Sequence, residues 1–442
     1  MKEIEDFLTG RIWLKEFTPF NKDEIEQAIA EGKIAVIPGI TKNRECARCL
    51  EKAPQHLISF YCAKCEAECL YCRHCLKMGR VSSCTELITW ADPSPKPQKT
   101  HSFHWSGKLT PPQKLASQEV LQSIALEKSH LVYAVCGAGK TEILFAPIHK
   151  ALELGYRICI AAPRTDVVLE LSPRIRAVFP DTVVHTLYGG SPAEPGFADI
   201  IIATTHQLYR FQEAFDLMIV DEADAFPFSF DPSLKRAVMK SKKQQAPIVY
   251  VSATPSSGLL KTIPGRSEIF RRYHGHPLPI PRFEALWGYK KSLKKNKLPK
   301  KLAAWVQMRI TRQEPFLLFF PTIELIDESV HLFKELDARI EAVHSQDPQR
   351  KEKVMKLRQG GIPGVLTSTI LERGITIPNV QVAVIGADEE IFDAAALIQI
   401  SGRVGRSSEH PNGDIVFFHN GHAREMDKAK RLIVSYNKRE IL

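Results

Sequence analysis

Ala134-Val135-Cys136-Gly137-Ala138-Gly139-Lys140-Thr141, read together with Asp221-Glu222-Ala223-Asp224, decides the fold of this chain. A glycine-rich turn lets backbone N–H groups wrap a phosphate, so Gly137, Ala138 and Gly139 are candidate cradle residues. Lys140 adds a point charge at the β- and γ-phosphates, and the Thr141 hydroxyl is suited to ligate Mg²⁺. In the acidic cluster, Asp221 holds the metal through its water shell and Glu222 polarises an attacking water. The strict phosphate-loop pattern asks for glycine where Ala134 stands. The tight turn needs its glycines nearest the phosphate, at Gly137 and Gly139, so the departure is tolerable. Each element directly follows an apolar run, Leu131 to Val135 and Leu217 to Val220. The pair implies an ATP–Mg²⁺ site at the ends of parallel strands.

Outward from these runs the texture is alternating strand and helix. Ile158 to Ala162, Ile200 to Ala203 and Ile248 to Val251 are short β-branched strands between helical stretches. That rhythm predicts a parallel sheet covered by helices on both faces. It breaks at the prolines of 274–281 and passes a run of lysines: Lys290, Lys291, Lys294, Lys295, Lys297, Lys300 and Lys301. It restarts at Phe316 to Phe320 and continues through Gly364 to Thr367, Val380 to Ile385 and Ile415 to Phe418. The α/β texture therefore forms two tandem parallel-sheet lobes, 103–285 and 290–442. Before them lie a segment 1–40 without a motif, a cysteine block 41–90, and the proline-rich connector Asp92-Pro93-Ser94-Pro95-Lys96-Pro97, which cannot hold a helix or central strand. The lysine run fits either a solvated linker or a nucleic-acid contact.

The chain has 442 residues, 44% hydrophobic and 25% charged, with net charge +10. This is ordinary for a globular protein, with an excess that favours a polyanionic partner, nucleic acid first. The N-terminus, Met1-Lys2-Glu3-Ile4-Glu5-Asp6, has no apolar core and does not read as a secretory signal. No apolar run approaches the roughly 20 residues needed to span a bilayer, so no transmembrane segment and a cytoplasmic location are expected.

Eight of the ten cysteines fall between Cys46 and Cys84. In a reducing compartment such density reads as metal binding. Cys46/Cys49, Cys62/Cys65 and Cys72/Cys75 are three Cys-x-x-Cys knuckles, joined by Cys69 and Cys84. Two residues between thiolates let one turn present both sulfurs to one tetrahedral ion, and eight thiolates suit two Cys₄ sites holding structural Zn²⁺. A sequential wiring pairs Cys46/Cys49 with Cys62/Cys65, and thiolates would also take an iron–sulfur cluster. His56 and His74 read as surface histidines, since enough sulfur is present. Cys136 and Cys159 read as small packing residues.

In the second lobe, Gln399-Ile400-Ser401-Gly402-Arg403-Val404-Gly405-Arg406 places Arg403 and Arg406 three residues apart, on one face of an expected helix. Arginine keeps its charge and donates bidentately, so both suit stabilising charge on a transferring γ-phosphate.

The whole motif series resembles the superfamily 2 helicases and translocases, whose fold is two RecA-like lobes. Gln113 in Leu109-Thr110-Pro111-Pro112-Gln113 resembles the motif whose amide reads adenine. Pro163-Arg164-Thr165 and Thr204-Thr205-His206 resemble the nucleic-acid-facing motifs of the first lobe, and Ser252-Ala253-Thr254 the motif that couples the two sites. Phe320-Pro321-Thr322, Thr367-Ser368-Thr369 with Glu372-Arg373-Gly374-Ile375, and Gln399 to Arg406 resemble the second-lobe motifs. Gly374 thereby joins the candidate nucleotide-binding residues.

A narrower resemblance rests on Cys46-Ala47-Arg48-Cys49, Tyr71-Cys72-Arg73-His74-Cys75, Met78-Gly79-Arg80-Val81-Ser82, Ala134 to Glu142 and Pro163 to Leu171. These are similar to the ComFA family of late competence proteins. The resemblance implies a cytoplasmic ATPase, peripheral at the inner face of the membrane, that drives transforming DNA inward. Its implied partners are single-stranded DNA, the inner side of the membrane DNA channel and the phosphoribosyltransferase-like competence protein ComFC. It also maps the family's four cysteines onto Cys46, Cys49, Cys72 and Cys75, leaving Cys62, Cys65, Cys69 and Cys84 as a second, interleaved set. Three other readings stand beside it: a replication-restart helicase of the PriA kind, an RNA helicase, and a zinc-dependent scaffold whose ATPase is vestigial.

Overall fold

The computed structural model describes residues 1–96, 98–373 and 376–439. Gly374 lies outside the described residues, as do Ile375 and Pro97. The chain forms two compact units, one of 1–132 with 141–267 and one of 133–140 with 268 onward.

A seven-stranded sheet runs in the order Arg266–Ile269, His130–Ala134, Ile248–Ser252, Leu217–Val220, Ile158–Ala162, Ile200–Thr204, Val184–Leu187. Its central pairings are parallel. Four of the five inner strands are buried along their whole length, and the fifth, Ile248–Ser252, at every residue but Tyr250, which is why they read as near-continuous apolar runs. A second, six-stranded sheet has the order Arg282–Ala285, Ile415–His419, Gln381–Ile385, Phe316–Phe319, Gly364–Thr367, Glu341–Val343, all in parallel. It carries its own apolar core, including Trp305, Phe316, Phe320, Phe333 and Phe418. The fold is thus two parallel-sheet RecA-like lobes, as expected from the strand rhythm.

The lysine run is no linker. Five of its lysines lie on the helices Tyr289–Lys294 and Lys300–Thr311, with Lys295 and Lys297 in the short turn between them; Tyr289, Leu293, Leu302 and Trp305 are buried in the core while all seven lysines are exposed. Apolar residues at helical spacing pin these short helices to the sheet.

The N-terminal region is woven together across its sequence. Glu86–Trp90 lies between Trp13–Leu14 and Ile34–Pro38 in one antiparallel sheet, so residues before 41 share a sheet with the end of the cysteine block. Within the block, Leu57–Cys62 and Ala67–Cys72 form a hairpin. Cys46, Cys49, Cys72, Cys75, Leu57 and Val81 share one continuous core with Phe211, Phe215, Leu234 and Val238 beneath the first parallel sheet. The proline-rich connector therefore joins parts of one packed unit.

Among the described residues, no helix is long and apolar enough to cross a membrane.

Candidate functional site

The phosphate-loop turn leaves the strand His130–Ala134 and ends where the helix Lys140–Glu153 begins. Gly137 and Gly139 take φ of 82° and 73°, a left-handed conformation that glycine adopts at no steric cost. Backbone N–H groups are thereby left at a helix N-terminus, a natural anion site. Ala134, Val135, Cys136 and Ala138 are buried. Within the second compact unit the turn is tied down by its neighbours. Cys136 Sγ donates to Gln399 Oε1 at 2.8 Å, and Tyr273 N–H to Gly137 C=O at 3.0 Å. A side chain at Gly402 would collide with Cys136, at 2.5 Å from its Cβ. Cys136 is thus a packing residue with one donor duty. The Lys140 ammonium donates to the Ala134 carbonyl at 3.4 Å.

In the first unit, the Thr141 hydroxyl accepts from Arg174 at 3.1 Å, and Arg174 also pairs with Glu142 at 2.5 Å. Sequence reading missed Arg174, because nothing in its spacing marks a side chain brought close by helix packing. Gln113 is placed by a capping box at the start of the helix Pro111–Ala125, its Oε1 accepting from Thr110 N–H at 2.8 Å.

The acidic turn follows Leu217–Val220. Asp221 N–H donates to Ala161 C=O at 2.8 Å, and Asp221 Oδ1 accepts from Glu222 N–H at 2.9 Å. Glu222 sits at φ 52°. A non-glycine residue held there stores local strain, a condition that concentrates at functional positions. Asp224 reaches sideways: its two oxygens accept from Ser252 Oγ at 2.6 Å and Thr254 Oγ1 at 2.7 Å. One carboxylate thus holds the acidic turn and the Ser252-Ala253-Thr254 turn in register.

Arg403 and Arg406 do not share a helix face. The helix Ala394–Ser401 stops at Gly402, before either arginine, and Gly405, which lies between them, turns the chain at φ 71°. Arg403 is buried and donates to Glu372 C=O at 2.8 Å. Arg406 is partly exposed and donates to Gly402 C=O at 3.0 Å. Gly405 C=O accepts from the buried Arg272, a residue the motifs did not flag. Burial lowers the Arg272 guanidinium to about 10.

Not every hydroxyl expected to meet a backbone phosphate is at the surface. Thr204, Thr205 and Thr367 are buried; Thr204 and Thr367 end their strands and Thr205 opens the 3-10 helix Thr205–Arg210. Ser368 and Thr369 are partly exposed.

The cysteines form two clusters. Cys46, Cys49, Cys72 and Cys75 place their sulfurs within 4.8 Å of one another, and so do Cys62, Cys65, Cys69 and Cys84. Sγ–Sγ distances of 3.7 Å (Cys46–Cys75), 3.4 Å (Cys49–Cys72) and 3.7 Å (Cys62–Cys84) approach the edge of about 3.8 Å expected of a tetrahedron with 2.3 Å zinc–sulfur bonds. The hairpin explains the interleaving: it sets Cys62, Cys65 and Cys69 at its turn end and Cys72 at its base. Cys49 is pushed far up by hydrogen bonding to Cys46, Cys72 and Cys75, while Cys46, Cys49 and Cys72, helped by the Arg48 charge, hold Cys75 far down. Four sulfurs this close share protons that a cation would replace. Arg48 Nε donates to Cys75 Sγ at 3.3 Å, the kind of outer contact that orients a metal ligand.

Comparison with known proteins fits this architecture. The description "Competence protein ComFA N-terminal domain" matches residues 1–89, "DEAD/DEAH box helicase" 110–262 and "Helicase conserved C-terminal domain" 295–408. The chain is 40% identical to competence protein ComFA of Bacillus subtilis (strain 168), over 99% of this chain and 95% of that protein. It is 36% identical to competence protein ComFA of Streptococcus pneumoniae (strain ATCC BAA-255 / R6), over 90% and 95%. In fold it is similar to the DEAD-box helicase Mss116 bound to single-stranded RNA, with TM-score 0.55 and 16% identity, covering 75% of this chain and 78% of that one. It is also similar to RecG bound to a three-way DNA junction, with TM-score 0.52 and 19% identity, covering 76% and 46%. The helicase domains imply ATP and a divalent metal ion, and make this an ATP-hydrolysing, helicase-type enzyme. With its cysteine-bearing N-terminal region and two helicase lobes, the chain belongs to the ComFA family of competence proteins.

Proposed function

We propose that the protein is a single-stranded-DNA-dependent ATPase that translocates on the strand and drives transforming DNA into the cytoplasm during competence. The observation that carries this reading is the Asp224 bridge to Ser252 and Thr254. It makes the acidic turn and a neighbouring loop respond together, as a motor requires. When bound, ATP supplies the transferable phosphoryl group and Mg²⁺ neutralises charge on it. The loop of Gly137, Ala138 and Gly139 cradles phosphate, with Lys140 as its counter-charge. Thr141 and Asp221 hold the metal ion, directly and through its water shell. Glu222 accepts a proton from the attacking water. Arg406 and Arg403 stabilise charge on the phosphoryl group, and Gln113 reads the adenine edge. The two Cys₄ clusters hold structural Zn²⁺. The competence machinery at the inner face of the membrane DNA channel, with a ComFC-type phosphoribosyltransferase-like protein, is the proposed setting.

Asp224→Ala is expected to leave basal ATP turnover within a few-fold of normal while removing most of its stimulation by single-stranded DNA, because it cuts the bridge and spares the phosphate loop. Normal stimulation in this variant would dismiss the coupling role.

Binding is expected to be sequence-tolerant and driven by phosphate contacts, given the net charge of +10 and the seven exposed lysines. Log affinity should fall with log salt at a slope of about −0.7 per neutralised phosphate. The deciding measurement is a titration against matched single-stranded DNA, duplex and RNA at several salt concentrations, with ATP turnover followed alongside. Equal or greater stimulation by RNA would favour an RNA helicase, and stimulation by forked duplex alone a replication-restart enzyme. Absence of ATP turnover under all these conditions would favour the scaffold with a vestigial ATPase.

A further inference from the structure

Beside the cysteine clusters lies a third group of metal-ligating side chains that contains no sulfur. Glu51 Oε2 is 3.3 Å from His56 Nδ1 and 3.2 Å from His74 Nδ1, and the three ligand atoms lie within 4.8 Å of one another. Both Nδ1 atoms are buried, and it is the Glu51 carboxylate that each approaches. The imidazole rings converge, with centroids 4.3 Å apart. Three features make this more than an accident of side-chain packing.

First, the spacing is that of a coordination shell. Zinc bonds of 2.0–2.2 Å to nitrogen and oxygen put tetrahedral ligand atoms about 3.3 to 3.5 Å apart, and the carboxylate-to-imidazole distances fall at that value. Second, the carboxylate is held in place. Glu51 is 5% exposed. Its Oε1 accepts from Lys52 N–H at 3.0 Å and Ala53 N–H at 2.9 Å, and Arg236 donates to Oε2 at 2.7 Å. Such outer contacts fix the direction of a ligating carboxylate. Third, a single oxygen that already accepts from Arg236 is left to serve two buried imidazole nitrogens, a poorly satisfied arrangement that a cation accepting both lone pairs would relieve.

We propose that Glu51, His56 and His74 form a third divalent transition-metal site, of His₂Glu type, distinct from the two Cys₄ clusters. Three protein ligands leave a fourth position for water, the pattern of open rather than closed sites. His56 and His74 side chains are 35% and 25% exposed, so the ion can exchange with solvent. The nearby Arg236 guanidinium withdraws charge from Glu51, which makes this the weaker, exchangeable site. Imidazole and carboxylate ligands accept zinc, cobalt or nickel, whereas the sulfur clusters select softer ions. Sequence alone assigned the two histidines to the surface, because Cys-x-x-Cys spacing drew every ligand role to sulfur. Only the packing of the short helices Pro54–His56 and Arg73–Met78 brings them together.

The test is titration of Co²⁺ into the zinc-loaded, full-length protein, followed by visible absorption and by elemental analysis after desalting. One further equivalent of cobalt is expected to bind, with weak d–d bands and without the intense near-ultraviolet band of a cobalt–thiolate bond. The variant His56→Gln, His74→Gln is expected to lose that equivalent and keep its zinc. Glu51→Gln, which retains an acceptor for the Lys52 and Ala53 N–H groups, is expected to weaken cobalt binding by at least tenfold. Failure of the wild type to take up cobalt would overturn the proposal. So would equal uptake by the histidine variant, or a thiolate band growing with the added ion.

Discussion

Lys140→Ala is expected to lower ATP turnover by at least ~10³-fold, the loss typical when one charge facing the transferring phosphoryl group is removed. The ammonium donates at 3.4 Å to the Ala134 carbonyl. That long contact contributes little to stability, so the effect should fall on chemistry and not on the fold. The melting temperature should move by no more than ~2 °C, as for a substitution worth under about 0.5 kcal/mol. Arg406→Ala is expected to show a similar loss of turnover. Steady-state ATP hydrolysis with saturating single-stranded DNA, measured beside a thermal melt, separates the two effects. Near-normal turnover in the Lys140 variant would remove that residue from its assigned role. A large fall in melting temperature would mean that the turn itself had collapsed.

Cys72→Ala combined with Cys75→Ala is expected to release one tightly held zinc ion and to destabilise far more than the hairpin. Zinc binding supplies about 10–16 kcal/mol of apparent free energy in small zinc-finger peptides, where metal binding and folding are one process. Here Cys72 and Cys75 lie in the same core as Leu234, Ala237 and Val238. Arg236 and Lys240, on the same helix Pro232–Ser241, reach Glu51 Oε2 at 2.7 Å and the Arg48 carbonyl at 2.5 Å. Burial lowers the Lys240 ammonium to about 8, so this contact is itself a packed, desolvated one. Opening the cluster therefore exposes one face of the ATP-binding lobe, and the first melting transition should fall by ~10 °C or more. Elemental analysis, calorimetry and hydrogen exchange across 57–72 would check this. Unchanged metal content, or a melt that moves only in the hairpin, would contradict the shared core.

Much of this molecule is legible without coordinates. The inner strands of both sheets announce themselves, because a strand covered on both faces must be apolar throughout. The edge strands do not. Arg266–Ile269, Arg282–Ala285 and Glu341–Val343 interleave Glu268, Glu284 and Glu341 with apolar residues, since one side of an edge strand meets solvent. The arginine-bearing motif of the second lobe shows a different limit. Gln399 to Arg406 is recognisable as a string, yet the string hides that Gly402 ends the helix and that Arg403 turns to the Glu372 carbonyl.

By itself the sequence determined the chemistry on offer: a phosphate cradle at Gly137 to Thr141, an acidic turn at Asp221 to Asp224, eight thiols at knuckle spacing and two parallel sheets to carry them. These are local properties, set by glycine's access to positive φ, by the charge of side chains and by the period of apolar residues. Tertiary structure alone decided which distant residues share a site. It bridged Asp224 to Ser252 and Thr254, sorted eight sulfurs into two interleaved fours, and closed Glu51 on His56 and His74. It also merged the N-terminal region with the first lobe, despite the prolines between them. The reason is physical. A proline-rich stretch fixes only its own backbone, whereas burial of apolar surface between segments far apart in sequence acts wherever two faces fit.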